Sequence, residues 1–147
     1  MLRPFRDAGV FRVAAFGQTE WMHGGQWPGT AHIPRLNAIA AAGGRVAMLG
    51  EARTLYLDGP PAYWVIFSRN PLAEAFAHDP AGWLRAHGYS HLYVDWLELR
   101  RLARSRYGVW PELRDLTPAR LAALGLTRSE LFTVDGRPYA SLHAVPK

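Results

Sequence analysis

The sequence has 147 residues, of which 49% are hydrophobic and 20% are charged, and its formal net charge is +5 at pH 7. This length predicts one domain with a packed core, and the composition excludes an intrinsically disordered chain. The absence of cysteine excludes disulfides, thiolate zinc sites and cysteine nucleophiles. Because no apolar stretch reaches membrane-spanning length and charges interrupt the N-terminus, we expect neither a transmembrane segment nor a signal peptide.

The positive charge is almost entirely arginine, because Lys147 is the single lysine among 17 basic residues. Arginine together with six tryptophans and six tyrosines is compatible with binding nucleic acid or anionic lipid headgroups. A GC-rich coding bias toward arginine and alanine explains the composition better than nucleic-acid binding. We therefore do not expect a nucleic-acid partner, and anionic lipid headgroups stay open.

We interpret the whole chain, residues 1–147, as a single α/β domain. Its first 31 residues contain a short apolar run typical of a strand, Val10 to Phe16, followed by a loop rich in glycine, proline and tryptophan. Trp21 and Trp27 in this loop are candidate partner-docking residues. Residues 32–147 form the predicted α/β core.

Three short apolar segments in the core are typical of strands: Val46 to Leu49, Tyr63 to Phe67 and His91 to Asp95. Two further segments, Leu131 to Val134 and Tyr139 to Val145, flank an Asp-Gly dipeptide and predict a β-hairpin.

Helices are predicted between these strands from capping residues, prolines and apolar periodicity. The predicted helices begin near Pro34, at Asn70-Pro71, at Asp79-Pro80, at Trp96 and at Thr117-Pro118. The order predicts a small Rossmann-like three-layer α/β domain with a mainly parallel central sheet and a C-terminal β-hairpin.

Motifs for the common catalytic chemistries are absent from the sequence. It has no GxxxxGK[ST] phosphate loop and no GxSxG nucleophile elbow. His87 and His91 have the spacing of helical metal ligands, but Gly88 and Ser90 between them interrupt a helix. We therefore predict no catalytic residue, no metal and no cofactor, with histidines at the surface or partly buried.

Carboxylates follow the predicted strands and are candidate ligand-binding residues. Glu51, Asp58 and Asp95 could gather at the carboxyl edge of a parallel sheet, where α/β folds place ligands. Arg53 is the fourth candidate, and it could instead pair with Glu51 to clamp the loop after the strand. Asp95 could instead cap the next helix by accepting an N–H bond near Glu98.

The helix predicted from Trp96 to Tyr107 is strongly amphipathic, with leucines on one side and arginines on the other. Arg100, Arg101 and Arg104 on its polar side are candidate partner-docking residues.

Several segments together resemble one known arrangement. They are a helix carrying LN at Leu36 and Asn37, the strand and loop GEARTLYL from Gly50 to Leu57, an aromatic strand after a turn, WLRAHGYSHLYVDW from Trp83 to Trp96, and a terminal hairpin. This pattern, over residues 32 to 145, resembles the soluble C-terminal domain of bacterial GT-C membrane glycosyltransferases of the dolichyl-phosphate-mannose-protein mannosyltransferase-like group. In that family the catalytic acids lie in loops between transmembrane helices, so no catalytic residue carries over.

The resemblance implies an extracytoplasmic, periplasmic domain whose partner is a membrane protein or its own transmembrane part. It favours a non-catalytic accessory domain or subunit of a membrane complex. The alternative from the residues alone is a small α/β enzyme or a nucleotide- or sugar-phosphate-binding domain with its site near Glu51.

Overall fold

The computed structural model describes residues 30–51, 57–59 and 61–147 of the chain. Within it, Ala31–Lys147 forms one compact unit. The predicted strand Val10 to Phe16, the docking candidates Trp21 and Trp27, and Arg53 lie outside the described residues.

The core is a mixed α/β fold with a five-stranded sheet. In chain order the described elements are α1 (His32–Ala41), β1 (Val46–Leu49), β2 (Ala62–Tyr63), α2 (Pro71–Ala75), α3 (Pro80–Ala86), β3 (His91–Asp95), α4 (Trp96–Arg104), a short 3-10 helix (Pro111–Leu113), α5 (Pro118–Ala123), β4 (Thr127–Val134) and β5 (Arg137–Ala144).

The strand order is β2-β1-β3-β5-β4. β1 pairs in parallel with both β2 and β3, whereas β5 pairs antiparallel with β3 and β4. The predicted mainly parallel, Rossmann-like sheet is therefore not confirmed. The physical reason is the C-terminal hairpin, because it adds its second strand directly to β3 instead of standing apart from the sheet.

The hairpin itself is confirmed, and its strands are longer than predicted. Asp135 and Gly136 both have positive φ, 49° and 70°. That geometry is the one that a two-residue type I′ turn requires, and it lets β4 and β5 pair directly.

The sheet has apolar layers on both faces, as the alternation along β1 and β3 shows. Val46, Met48 and Tyr93 pack with α1, whereas Ala47, Leu49, Leu92 and Val94 pack with α2 to α5. All four residues of β1 are buried, which matches the prediction of a strand covered on both faces.

Helix starts agree with the capping signals in the sequence. The side chains of Asn70, Asp79, Asp95 and Thr117 each accept a backbone N–H bond from the first turn of their helix. The bonds join Asn70 to Ala73, Asp79 to Gly82, Asp95 to Glu98 and Thr117 to Arg120.

Two predicted elements are shorter in the structure. Strand pairing ends at Tyr63, because Ser68 donates both its backbone N–H and its hydroxyl to the Val65 carbonyl and closes a turn. The aromatic side chain of Trp64 packs against the core instead. Helix α4 ends at Arg104, where the extended backbone of Ser105 stops it before Tyr107.

A close contact follows β1 and should be sensitive to substitution. Gly50 has φ +83°, and a Cβ at this position would lie 2.9 Å from the Asp95 carbonyl oxygen and 3.2 Å from Leu99 Cγ. Gly125 after α5 has nearly the same φ, +80°, but open space around it.

We expect Gly125→Ala to lower the free energy of unfolding by about 1–2 kcal/mol, the cost of a left-handed backbone for a non-glycine residue. Gly50→Ala should cost at least ~1 kcal/mol more, because overpacking adds to the same backbone strain. Urea denaturation of the two variants measures the difference. Equal losses would show that the contact of Gly50 with Asp95 is not tight.

Candidate functional site

A pocket of ≈290 Å³ lies at the carboxyl edge of the parallel part of the sheet. Gly50 and Glu51 contribute to its wall directly after β1, and Glu98, Arg101 and Leu102 contribute from α4 after β3. The remaining wall consists of apolar and aromatic residues: Trp64, Val65, Ile66, Phe67, Tyr107 and Trp110.

The strand order explains why a crevice forms there. The chain leaves β1 toward β2 on one side and leaves β3 toward β5 and β4 on the other. Connections that diverge from neighbouring parallel strands leave a gap at the strand ends, and open α/β sheets bind ligands in such gaps. The pocket therefore lies at the edge that the sequence suggests as a candidate ligand site near Glu51, and ligand binding there stays a prediction.

Glu51 is almost completely buried, and its carboxylate reaches back toward α1. Its Oε2 atom lies 3.6 Å from Nε2 of His32, which is equally buried. The residue therefore lines the pocket and also contacts the first residue of a helix. The clamp predicted between Glu51 and Arg53 stays a prediction, because Arg53 lies outside the described residues, and so does ligand binding by Glu51.

His32 is held by Tyr139 of β5. The Tyr139 hydroxyl accepts the backbone N–H of His32 at 3.3 Å and lies 3.1 Å from the ring Nδ1. In the neutral tautomer in which this hydroxyl donates to Nδ1, the proton is on Nε2 and points toward Glu51. The ring centroid also lies 4.6 Å from that of Tyr93, with the two planes tilted by 33°, so the imidazole is contacted on several sides.

Asp95 performs the capping role that was predicted as one alternative. Its Oδ1 accepts the Glu98 backbone N–H at 2.8 Å, and the residue is buried. This bond pairs a backbone N–H of the first turn of α4 that has no partner within the helix. A ligand-binding role for Asp95 stays a prediction, and the residue does not line the pocket.

Asp58 is placed elsewhere. It is exposed, and its backbone N–H donates to Oδ1 of Asn37 in α1 at 2.9 Å. Its neighbours Leu57 and Gly59 line a second, mostly apolar pocket of ≈250 Å³, next to the residues that precede β1. The structure therefore does not bring Asp58 into the pocket with Glu51.

The three arginines predicted to dock a partner lie on the exposed face of α4, as the helical periodicity indicated. Arg101 pairs through two nitrogens with the Glu98 carboxylate, and this contact raises the pKa of the guanidinium. Arg100 and Arg104 have no carboxylate within salt-bridge distance among the described residues.

A series of hydrogen-bonded polar side chains, on the face of the sheet opposite to His32 and Tyr139, was not predicted. Trp96 Nε1 donates to Ser141 Oγ at 2.7 Å, and Ser141 Oγ lies 2.7 Å from His143 Nε2. His143 Nδ1 lies 3.2 Å from the Leu126 carbonyl oxygen. The spacing of Ser141 and His143 resembles a nucleophile and its base, but both are about 1% exposed, so no substrate can reach them.

His32 and His143 are thus buried, which corrects the prediction of surface or partly buried histidines. The alternation of residues along β5 could have placed Ser141 and His143 on one face. No local signal pairs His32 with Tyr139, because they are 107 positions apart.

The described residues contain no cluster of three or more metal-ligating side chains. Among the helices of the described part of the chain, none is long and apolar enough to cross a membrane. Comparison with protein-family models, curated proteins and solved structures finds no match to this chain.

If Asp95 acts as a helix cap, its charge should matter less than its hydrogen-bonding oxygen. We expect Asp95→Ala to lower the free energy of unfolding by about 0.5–2 kcal/mol. Asp95→Asn should retain most of the stability, because asparagine caps helices as well as aspartate does. Chemical denaturation compares them, and an equal loss in both variants would contradict the capping role.

Burial lowers the pKa of His143 below its ordinary value of 6.5, with a smaller opposing effect from its bond to the Leu126 carbonyl. The unfolded chain therefore binds a proton at a pH where the folded chain does not, and stability falls as pH drops below about 6.5. We expect His143→Gln to show a shallower loss of unfolding free energy between about pH 7 and pH 5. Identical slopes for the variant and the original protein would contradict this assignment.

Proposed function

We propose that this chain is a non-catalytic accessory domain that docks at a membrane surface. It would associate with a membrane protein, or with a transmembrane part of its own protein, on the periplasmic side. The observation that carries the proposal is an exposed surface of aromatic and arginine side chains around α4, which we call the α4 surface. It consists of Phe67, Leu97, Arg100, Arg104 and Tyr107.

The apolar members of the α4 surface are unusually exposed. Phe67 is 76% exposed, Tyr107 54% and Leu97 50%. The Phe67 and Tyr107 rings meet edge to face, with centroids 5.2 Å apart. Because both rings line the pocket together with Arg101, they adjoin the exposed face of the helix.

Charge complementarity decides which kind of surface this region would contact. Arg100 and Arg104 share a helix face with Leu97, and their charges are not neutralised by carboxylates of the described residues. Aromatic rings favour the headgroup region of a bilayer, and basic residues are attracted to anionic lipid. An anionic lipid surface therefore satisfies both groups at once.

The family resemblance supports the same proposal. The compact unit Ala31–Lys147 coincides with the stretch, residues 32 to 145, that resembles the tail domain of lipid-linked-sugar glycosyltransferases. Such a domain would work beside a membrane-embedded enzyme, and the chemistry would belong to that enzyme. Docking through Trp21 and Trp27 remains a further prediction on residues outside the described part of the chain.

The pocket favours a second candidate function, a small-molecule-binding domain. The parallel strands β2, β1 and β3 form the part of the sheet that resembles a Rossmann-like crevice. Binding is a better proposal than catalysis, because Asp95 caps a helix and Glu98 pairs with Arg101. Ser141 and His143 are buried away from solvent.

Removing the two arginine charges should weaken membrane binding. Each basic residue near an anionic surface contributes about 1 kcal/mol, so we expect Arg100→Gln with Arg104→Gln to weaken binding about 30-fold. Co-sedimentation with vesicles that contain phosphatidylglycerol measures the change, and vesicles without anionic lipid should bind little of either protein.

The matched control is Arg128→Gln with Arg137→Gln, which removes the same charge from exposed positions on β4 and β5. We expect this pair to retain nearly all binding. If both double variants lose binding equally, only net charge matters and the docking role of the α4 surface is wrong.

A further inference from the structure

We propose that the pocket at the carboxyl edge binds an organic ammonium ion, that is, an amine nitrogen carrying a positive charge and small apolar substituents. This inference rests on the second candidate function above, and it names the class of ligand.

Aromatic rings form much of the pocket wall. Trp64, Phe67, Tyr107 and Trp110 all line it. Phe67 and Tyr107 stand at 81° to each other, so they form a corner. Aromatic faces carry negative electrostatic potential, and several rings around one cavity bind alkylammonium groups by cation–π attraction and apolar contact.

The charged groups of the wall also favour a cation over an anion. Two of the three are carboxylates, Glu51 and Glu98. The third, Arg101, is bound to Glu98 through two nitrogens, so an anion would have to compete for it with this carboxylate. The two carboxylates and one guanidinium leave a net negative charge on the wall, which attracts an ammonium group together with the rings.

One ring of the pocket already takes part in a cation–π contact within the protein. The guanidinium carbon of Arg106 lies 4.7 Å from the centre of the Tyr107 ring. Arg106 is not among the residues that line the pocket. The contact is an example, on one of the pocket's rings, of the cation–π attraction that the proposal invokes.

The pocket volume of ≈290 Å³ limits the ligand to a small group. It is at the lower end of the range for small-molecule sites, about 300–1,000 Å³, so it suits an alkylammonium head better than a dinucleotide. Such a group belongs either to a free alkylammonium compound or to the headgroup of a choline phospholipid.

The experiment compares choline with its uncharged isostere, the dimethylbutanol in which carbon replaces the nitrogen. Both are titrated into the isotopically labelled protein while amide and indole NMR signals are recorded. Phe67 and Tyr107 are exposed, and a cation–π contact at an exposed site contributes about 0.5–1 kcal/mol. With two such contacts, we expect choline to bind about fivefold to thirtyfold more tightly. Equal binding of the two compounds, or no binding of choline at millimolar concentration, would overturn the proposal.

Variants identify the site. Phe67→Leu with Tyr107→Leu keeps apolar side chains but removes two exposed rings, and we expect about a fivefold to thirtyfold loss of choline affinity. Tyr63→Leu is the matched control, because Tyr63 is 41% exposed and does not line this pocket. Unchanged affinity in the double variant, with thermal melting like that of the original protein, would place choline elsewhere and reject the site.

Glu98→Gln tests the sign of the ligand charge. It removes a carboxylate and releases Arg101, so the variant should bind choline more weakly and inorganic phosphate more tightly than the original protein does. Tighter phosphate binding than choline binding in the original protein would overturn the proposal in favour of an anion site.

A vesicle arm separates the two sources of the ammonium group. If the lipid headgroup occupies the pocket, soluble phosphocholine should lower binding to vesicles that contain phosphatidylcholine and phosphatidylglycerol, but not binding to vesicles of phosphatidylglycerol alone. Choline should bind in solution under either source. Arg100→Gln with Arg104→Gln should leave choline binding in solution unchanged. No choline binding to the original protein therefore rejects the ammonium site, whereas unchanged vesicle binding of the arginine variant rejects membrane docking through the α4 surface.

Discussion

The close packing of Gly50 against the carbonyl of Asp95 is the constraint on which the carboxyl edge of the sheet depends. No side chain fits between the end of β1 and the start of α4, since a Cβ on Gly50 would meet the Asp95 oxygen at 2.9 Å. This contact holds the residue after β1 beside the first turn of α4. Glu51 and Glu98 therefore reach the same pocket although they lie on different elements.

Polar side chains in the interior form one hydrogen-bonded series on each face of the sheet. On one face of the sheet, Tyr139 fixes His32, which lies against Glu51. On the other face, Ser141 links Trp96 to His143. Buried polar groups need hydrogen-bond partners, and in these two series the partners come from distant elements. Their bonds explain residues that would otherwise suggest catalysis.

Local signals in the sequence predicted much of the fold. The caps at Asn70, Asp79 and Thr117 begin the helices that were expected, and Asp135-Gly136 forms the expected turn. Such signals work because each depends on a few neighbouring residues and on φ, ψ preferences. The aromatic run from Tyr63 to Phe67 misled the prediction, because a rich β-propensity does not show where pairing stops.

By itself, the sequence determined the α/β class, the strand bounds of β1 and β3, the capping role available to Asp95, and the arginine face of α4. These features follow from side-chain periodicity and short-range hydrogen bonds. Only the tertiary structure decided that the sheet has both parallel and antiparallel strand pairs and that His32 pairs with Tyr139. It also decided that Asp58 lies apart from Glu51 and that aromatic residues form the pocket wall. Each of these depends on which distant segments pack together, and burial and partner satisfaction over the whole core select that packing.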